Sequence, residues 1–398
     1  MTETLRPIYL DHQATTPVDA RALAVMLPFF SESFGNPASK SHPYGWIADE
    51  AVAKARAHVA ALVGAEAREV VFTSGATESV NLALKGVVRP LLAAGKRPHI
   101  VTAATEHKAT LDVTAALERE GARVTVLPVQ GDGTLSLAAL EAACTDDTAL
   151  VSLMHANNEI GTIHDVAQVG AFCRERGILF HADAAQSAST LPLDVVAMQI
   201  DLLSLSAHKM YGPKGVGALV VKRGQRLQAL IDGGGHERGH RSGTLNVPGI
   251  VGFGEAARLA RDLRDADRLR LTTLRDRLFA LLDDALPGLV LHGAKDARLA
   301  GNLSLAFPFV EAEALLLRTC REVALSTGSA CTQASLEPSH VLRAIRVPHD
   351  RAHATVRIGI GRHTSDDDIV RAARVLIDAS HALQHASPIA RAAHSLGS

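Results

Sequence analysis

The sequence predicts an α/β protein, with a mostly parallel sheet in a large domain and a second, smaller α/β domain. Three observations carry this. Between residues 69 and 223, short strand-like runs alternate with helix-like ones. Those runs are almost continuously apolar, as in sheets covered on both faces. Near residue 255 this rhythm gives way to one long, charge-laced helical pattern, after which strands and helices resume.

Taken in order, "EVVFT" is a β-rich run, and the turn "SGATES" leads from it into "VNLALKGVVRPLL", which has helical periodicity. "RPHIVTAA" is a strand followed by a helix from about Lys108 to Glu120. "ALVSLMHAN" leads through a loop to a helix over Val166–Arg176, and "GILFHADAAQ", "DLLSLSAH" and "GALVVKR" are further strands. Right-handed crossovers then give a doubly wound domain. "EAARLARDLRDADRLRLTTLRDRLFALLDDAL" is a single amphipathic helix. Beyond it, "NLSLAFP", "VALST" and "TVRIGIG" read as strands, with helices at about 311–322 and 365–384. Thr364, standing before three aspartates, is the expected N-cap of the last helix.

Composition narrows the function classes. The 398 residues are 47% hydrophobic and 21% charged, the balance of an ordinary soluble globular protein. Lysine and arginine number 41 against 42 acidic residues, so there is no global attraction for nucleic acid or an anionic membrane. No apolar run approaches the roughly 20 residues that span a bilayer. The start, "MTETLRPIYLDHQATTP", has no signal-peptide core, so a cytoplasmic location is expected. The four cysteines form no CxxC pair, so no metal site is expected and the thiols read as free. Cys331 stands apart from the other three, lying among small and polar residues in "STGSACTQASLEPSH". Residues 327–335 have the composition of a mobile functional loop.

Three strand ends carry the chemistry. In "FTSGATES" a strand gives way to a helix near Thr77, and a helix N-terminus suits a phosphate. In "FHADAAQS", Asp183 ends an apolar strand with Gln186 three residues on. An aspartate there needs a cation, and a protonated heterocycle nitrogen would serve. In "SLSAHK", Ser206 and His208 could donate to a phosphate while Lys209 bonds covalently to an aldehyde. A phosphate cradle, an acid for a ring nitrogen and a lysine on one sheet edge describe a pyridoxal phosphate site.

With these residues in place, the chain resembles the cysteine desulfurases, specifically the housekeeping iron–sulfur assembly (NifS/IscS-like) type within the class-V aminotransferase superfamily. The resemblance runs from about Ile8 to about His381. It rests on "YLDHQATTP", "FGNPASKSH", "VFTSGATESVNLALKG", "TEHKATLD", "MHANNEIGT", "HADAAQS", "SLSAHKMYGPKGVGAL", "GGGHERGHRSGTLNV" and "STGSACTQASLEPSHVLRAI". It implies a pyridoxal-phosphate-dependent transferase of fold type I. Residues 14–260 would form the large cofactor-binding domain, and 1–13 with 261–398 the smaller domain that carries the Cys331 loop.

The resemblance also implies roles. Lys209 would hold the cofactor and shuttle a proton, and Asp183 would pair with the ring nitrogen. Gln186 would bond the ring hydroxyl oxygen, and Asn158 would lie near that hydroxyl and the substrate carboxylate. His107 would lie against the ring and help move protons. Ala76 through its backbone, Thr77, Ser206 and His208 would hold the phosphate, and Thr244 would reach the phosphate of the other subunit of a homodimer. Arg357 would clamp the substrate carboxylate, a task suited to a planar bidentate donor. Cys331 would be the nucleophile that takes sulfur from L-cysteine, leaving L-alanine and an enzyme persulfide. An iron–sulfur scaffold or another sulfur-acceptor protein would receive it. The same fold hosts selenocysteine lyases and aminotransferases, and Cys331 favours desulfuration over these.

Overall fold

The computed structural model of the chain describes residues 6–327 and 337–386. In chain order its strands are β1 (Ile8–Tyr9), β2 (Val70–Thr73), β3 (His99–Ala103), β4 (Arg123–Leu127), β5 (Thr148–Met154) and β6 (Leu179–Asp183). They continue with β7 (Leu202–Ser206), β8 (Gly217–Val221), β9 (Val290–Leu291), β10 (Asn302–Ala306), β11 (Val323–Ala324) and β12 (Thr355–Gly359). The main sheet has the order β2-β8-β7-β6-β5-β3-β4. β3 to β7 and the edge strand β4 pair in parallel, and β8 alone runs antiparallel to both its neighbours.

Residues in the central strands alternate between two apolar cores, which is why these runs are apolar throughout. Phe72, Val101, Val151, Phe180, Leu203 and Val220 face one core. Val71, Ile100, Leu150, Leu202 and Leu219 face the other. Helices Ala76–Ala93 and Lys108–Arg119 cover the second face, and the first face packs against helix Pro43–Leu62.

A third core lies in a smaller lobe, where β10 sits between β12 and β9 in an antiparallel sheet. β1 pairs in parallel with β11 and brings the start of the chain to this lobe. One helix of 39 residues, Val247–Ala285, serves both lobes. At 1.5 Å per residue it is about 58 Å long. Its first half places Ile250, Phe253, Ala256 and Ala260 in the main core. Its second half places Leu271, Leu274, Leu278 and Leu282 in the small one. The crossing with helix Pro43–Leu62 is close, because a Cβ on Gly254 would stand 2.4 Å from Ala55 Cα.

Two sequence expectations need correction. The long helix begins at Val247 rather than near 255, capped by Asn246, whose side chain accepts from the Gly249 N–H. The last helix, Asp366–Ala386, is capped by Ser365 rather than Thr364. Ser365 Oγ accepts from the Asp368 N–H while the Asp368 carboxylate accepts from the Ser365 N–H, a reciprocal cap. Thr364 instead accepts from the Gly361 N–H in the preceding turn. Among the described residues, no helix is long and apolar enough to cross a membrane.

Candidate active site

The ends of β2, β5, β6 and β7 open on one cavity of about 790 Å³ that also touches β12. Parallel strands deliver their C-terminal ends to one sheet edge, where loops are free to carry side chains toward a ligand. The cavity is lined by Ala76, Thr77, His107, Asn158, Asp183, Gln186, Ser206, His208, Lys209 and Arg357. Fold and sequence expectation therefore converge on one place for ten of the twelve candidate residues. Thr244 is exposed and lies outside this lining. Cys331 and the loop around it fall outside the described residues.

After β2, Gly75 takes φ 154° and opens helix Ala76–Ala93, whose first turn has no side-chain cap. A Cβ at Gly75 would meet nothing within 4 Å, and Gly75, Ala76 and Thr77 line the cavity, so this uncapped helix start borders open space. The turn is braced from behind. Thr73 Oγ1 bonds Ser79 Oγ at 2.8 Å, and Glu78 accepts from the Ser74 N–H at 2.8 Å.

Asp183 ends β6 with 7% of its surface exposed. Burial pushes its carboxyl above the ordinary range, opposed by the Ala185 N–H at 2.9 Å and by the charges of His107 and Lys209. A buried carboxylate of this kind is poised to gain from a cationic partner. Lys209 follows β7 on a short 3-10 turn, and its Nζ donates to the carbonyls of Gln13 and Ala14, the latter at 2.8 Å. Gln186 Nε2 donates to the same Gln13 carbonyl at 2.9 Å. His208 is pushed down to about 4, first by burial and then by Lys209 and Lys214, so it is neutral at pH 7 and its Nδ1 lies 3.0 Å from Thr15 Oγ1.

His107 is the N-cap of helix Lys108–Arg119, and its Nδ1 accepts from the Ala109 N–H at 3.1 Å. That bond leaves Nε2 as the proton-bearing nitrogen of the neutral ring. Arg357, on β12, donates from Nη2 to Asp11 Oδ1 at 2.8 Å and to Ser326 Oγ at 2.9 Å. Its Nη1 makes a longer contact, 3.4 Å, with the Asn158 carbonyl.

Sequence reasoning assigned no role to several polar groups here. Gln13, Glu159, Ser339 and His340 line the cavity. Burial raises Glu159 to about 7, although it accepts a hydrogen bond from Ser339 and feels Arg357, His107 and Lys108. Glu106, also sealed inside, is raised well above the ordinary range by burial and accepts from the Met154 N–H at 2.6 Å. Both glutamates sit beside residues that were singled out, in "TEHK" and "NNEIG", among polar neighbours that gave no signal of burial.

The donor set fits pyridoxal phosphate. The open cradle at Gly75 suits the phosphate, the buried carboxylate suits a ring nitrogen, and the amine lies between strand ends. Among the described residues, no group of three or more His, Cys, Asp or Glu is placed to hold a metal.

The aminotransferase class-V family matches residues 8–371. The chain is 54% identical over 385 residues to cysteine desulfurase IscS of Anaeromyxobacter dehalogenans (strain 2CP-C), covering 96% of this chain and 95% of that protein. It is 51% identical over 387 residues to the protein of the same name from Histophilus somni (strain 2336), covering 96% and 95%. Among solved structures, a NifS-like protein superposes with a TM-score of 0.88 at 34% identity, over 96% of this chain and 100% of that one. SspA in complex with cysteine superposes with a TM-score of 0.79 at 35% identity, over 90% and 100%.

Proposed function

This chain belongs to the class-V aminotransferase family, and from that premise we propose that it is a pyridoxal-phosphate-dependent cysteine desulfurase. It converts L-cysteine to L-alanine and passes the sulfur to an acceptor through a persulfide on Cys331. The observation that carries this reading is the meeting of Lys209, Asp183, His107 and Arg357 in one cavity beside an open helix N-terminus.

Bound pyridoxal phosphate supplies the electron sink that labilises bonds at the substrate carbon. The rest falls to the chain. The first N–H groups of helix Ala76–Ala93, with Thr77, Ser206 and neutral His208, hold the phosphate. Asp183 keeps the ring nitrogen cationic, and Gln186 and Asn158 orient the ring edge. Lys209 would tether the cofactor and would move a proton at the substrate carbon. His107, held through Nδ1 by the Ala109 N–H, would lie against the ring and help move protons. Arg357 holds the substrate carboxylate. Cys331 attacks the substrate sulfur. The carbon–sulfur bond breaks, its electron pair returns to carbon, and protonation there gives alanine.

The chain acts as a homodimer in the cytoplasm, with Thr244 reaching the partner's phosphate, and its exposure here supports that role. The acceptor is a sulfur-carrying protein such as an iron–sulfur scaffold. The separate apolar cores support a division into 14–260 and 1–13 with 261–398, except that Val341, Leu342, Ile345 and Ala352 pack into the main core.

One assay decides among the reactions of this fold. Cysteine and a reductant are added, and alanine and sulfide are measured together. Equimolar alanine and sulfide are expected, and both vanish in Cys331→Ala. A keto acid without sulfide would make the enzyme an aminotransferase. A rate on selenocysteine that survives Cys331→Ala, with none on cysteine, would make it a selenocysteine lyase.

A further inference from the structure

Arg357 is nearly sealed, with 3% of its side chain exposed, yet it lines the cavity. A buried guanidinium has five donors to satisfy, and which of them stay unspent decides what it can bind. Here one side is spent within the chain. Nη2 donates to Asp11 Oδ1, and Ser326 Oγ donates to the same oxygen at 2.8 Å while accepting from Nη2. The three side chains close a triangle. The backbone fixes its corners. The Arg357 N–H donates to the Ser326 carbonyl at 2.9 Å, the Gly359 N–H donates to the Leu10 carbonyl at 2.6 Å, and Asp11 bridges Gly359. Among the described residues the other side is unspent, since Nε is buried without a hydrogen-bond partner and Nη1 has only its long contact.

We infer that Asp11, braced by Ser326, is a positioning residue that fixes how Arg357 faces the cavity and so sets the preference for substrates with an α-carboxylate. This rests on Arg357 being the carboxylate clamp. An unbraced arginine has many rotamers and would spend its donors on nearby carbonyls, whereas a bidentate carboxylate contact needs one fixed orientation. Asp11 touches neither substrate nor cofactor in this role and acts only through Arg357.

The test uses the cofactor-loaded enzyme and two ligands, L-cysteine and cysteamine, which lacks the carboxylate. Asp11→Ala is expected to raise KM for L-cysteine about tenfold or more, the worth of one charge-assisted hydrogen bond, with kcat held within about threefold. Asp11→Asn, whose amide oxygen still accepts from Nη2, is expected to restore KM to within about threefold of the parent. Cysteamine affinity, read from the cofactor absorbance, is expected to stay within about threefold in every Asp11 variant, because no carboxylate is involved. Ser326→Ala keeps the backbone bridge and is expected to raise KM in the same direction, so it answers the question if Asp11→Ala fails to fold. Unchanged KM in Asp11→Ala, or equal weakening of both ligands, overturns the inference. Arg357→Lys separates the premise. If it too leaves the preference for L-cysteine over cysteamine intact, the clamp assignment fails and takes the brace with it. If Arg357→Lys abolishes the preference while the Asp11 and Ser326 variants keep it, the clamp stands and the brace alone fails.

Discussion

Removing the Asp183 carboxylate tests the electrostatic centre of the site. The group is almost fully buried, and burial raises its pKa despite the Ala185 N–H, His107 and Lys209. Holding it ionised therefore costs free energy in the cofactor-free chain, and a cationic ring nitrogen offsets that cost. Breaking such a buried pair by deleting one partner costs about 3–5 kcal/mol. At about 1.4 kcal/mol per tenfold, Asp183→Ala should weaken cofactor affinity by roughly a hundredfold to a few thousandfold. Asp183→Asn keeps the volume and an acceptor for the Ala185 N–H but loses the charge. It should cost about 1.5–3 kcal/mol, so kcat at saturating cofactor should fall at least about tenfold. Cofactor titration by absorbance and alanine release at saturating pyridoxal phosphate read the two effects separately. Thermal melts of the cofactor-free proteins add a control. There Asp183→Asn should not lower Tm, because it removes a buried charge rather than a favourable contact. A kcat within threefold of the parent in Asp183→Asn, or a Tm loss in the cofactor-free form equal to that in the loaded form, would refute the argument.

The remaining predictions concern pH and packing. Burial raises Glu159 to about 7 in the fold, against about 4.5 for an ordinary glutamate. Between those pH values the native chain holds a proton that the unfolded chain has released, so stability falls as pH rises through this window, by about 3 kcal/mol in order of magnitude. Glu159→Gln mimics the neutral acid and should have a higher Tm than the parent at pH 8 but no advantage at pH 5; an equal difference at both would count against it. Burial holds His155, His164 and His292 near 4 and His181 near 3. The unfolded chain takes up protons at these sites below about pH 6.5 and the native chain does not, so they oppose folding as pH falls. The protons that Glu106, Glu159 and Asp183 retain offset part of this. The urea midpoint should therefore drop between pH 6.5 and 5, and a midpoint that rises on acidification would contradict the assignment. Gly254→Ala would place a Cβ 2.5 Å from Ala55 Cβ and push two helices apart, costing about 1–3 kcal/mol. Gly131→Ala, which meets nothing within 4 Å, should leave Tm unchanged; equal melting of the two variants would show that the crossing is not tight.

How much of this was legible in the sequence follows from what periodicity can carry. The central strands were readable because both faces are buried, which leaves unbroken apolar runs. Helix Pro43–Leu62 was not, because it buries mainly small residues such as Gly45, Ala48, Ala55 and Ala60 against its neighbour, so its stripe is faint. The edge strand β4 is half-exposed and carries no continuous run. The long helix was read eight residues short because "NVPGIVGFG" has the proline and glycines of a loop. Pro248 instead sits in the first turn, where no N–H is needed, and Gly252 and Gly254 permit close packing. The strand-end motifs of the site are local and were readable as such. Asp11, Gln13 and Ser326 were not, because Asp11 meets Arg357 from 346 residues away, Gln13 meets Lys209 from 196 residues away, and Ser326 meets Arg357 from a separate segment 31 residues earlier.

That long reach of the first residues has a consequence for how the enzyme is made. Ile8 and Tyr9 pair with Val323 and Ala324, Asp11 holds Arg357, and the carbonyls of Gln13 and Ala14 hold Lys209. On a ribosome adding about 5–20 residues per second, the segment around Asp11 waits roughly 17–70 seconds for β12 to emerge. The main sheet, complete by Val221, is available long before that. The helix Val247–Ala285 cannot bury its second leucine stripe until β10 and β12 exist. The strand-end pocket is thus half-walled during most of synthesis. Its substrate arginine arrives almost last, so a nascent chain carries the cofactor cradle long before it can act on an amino acid.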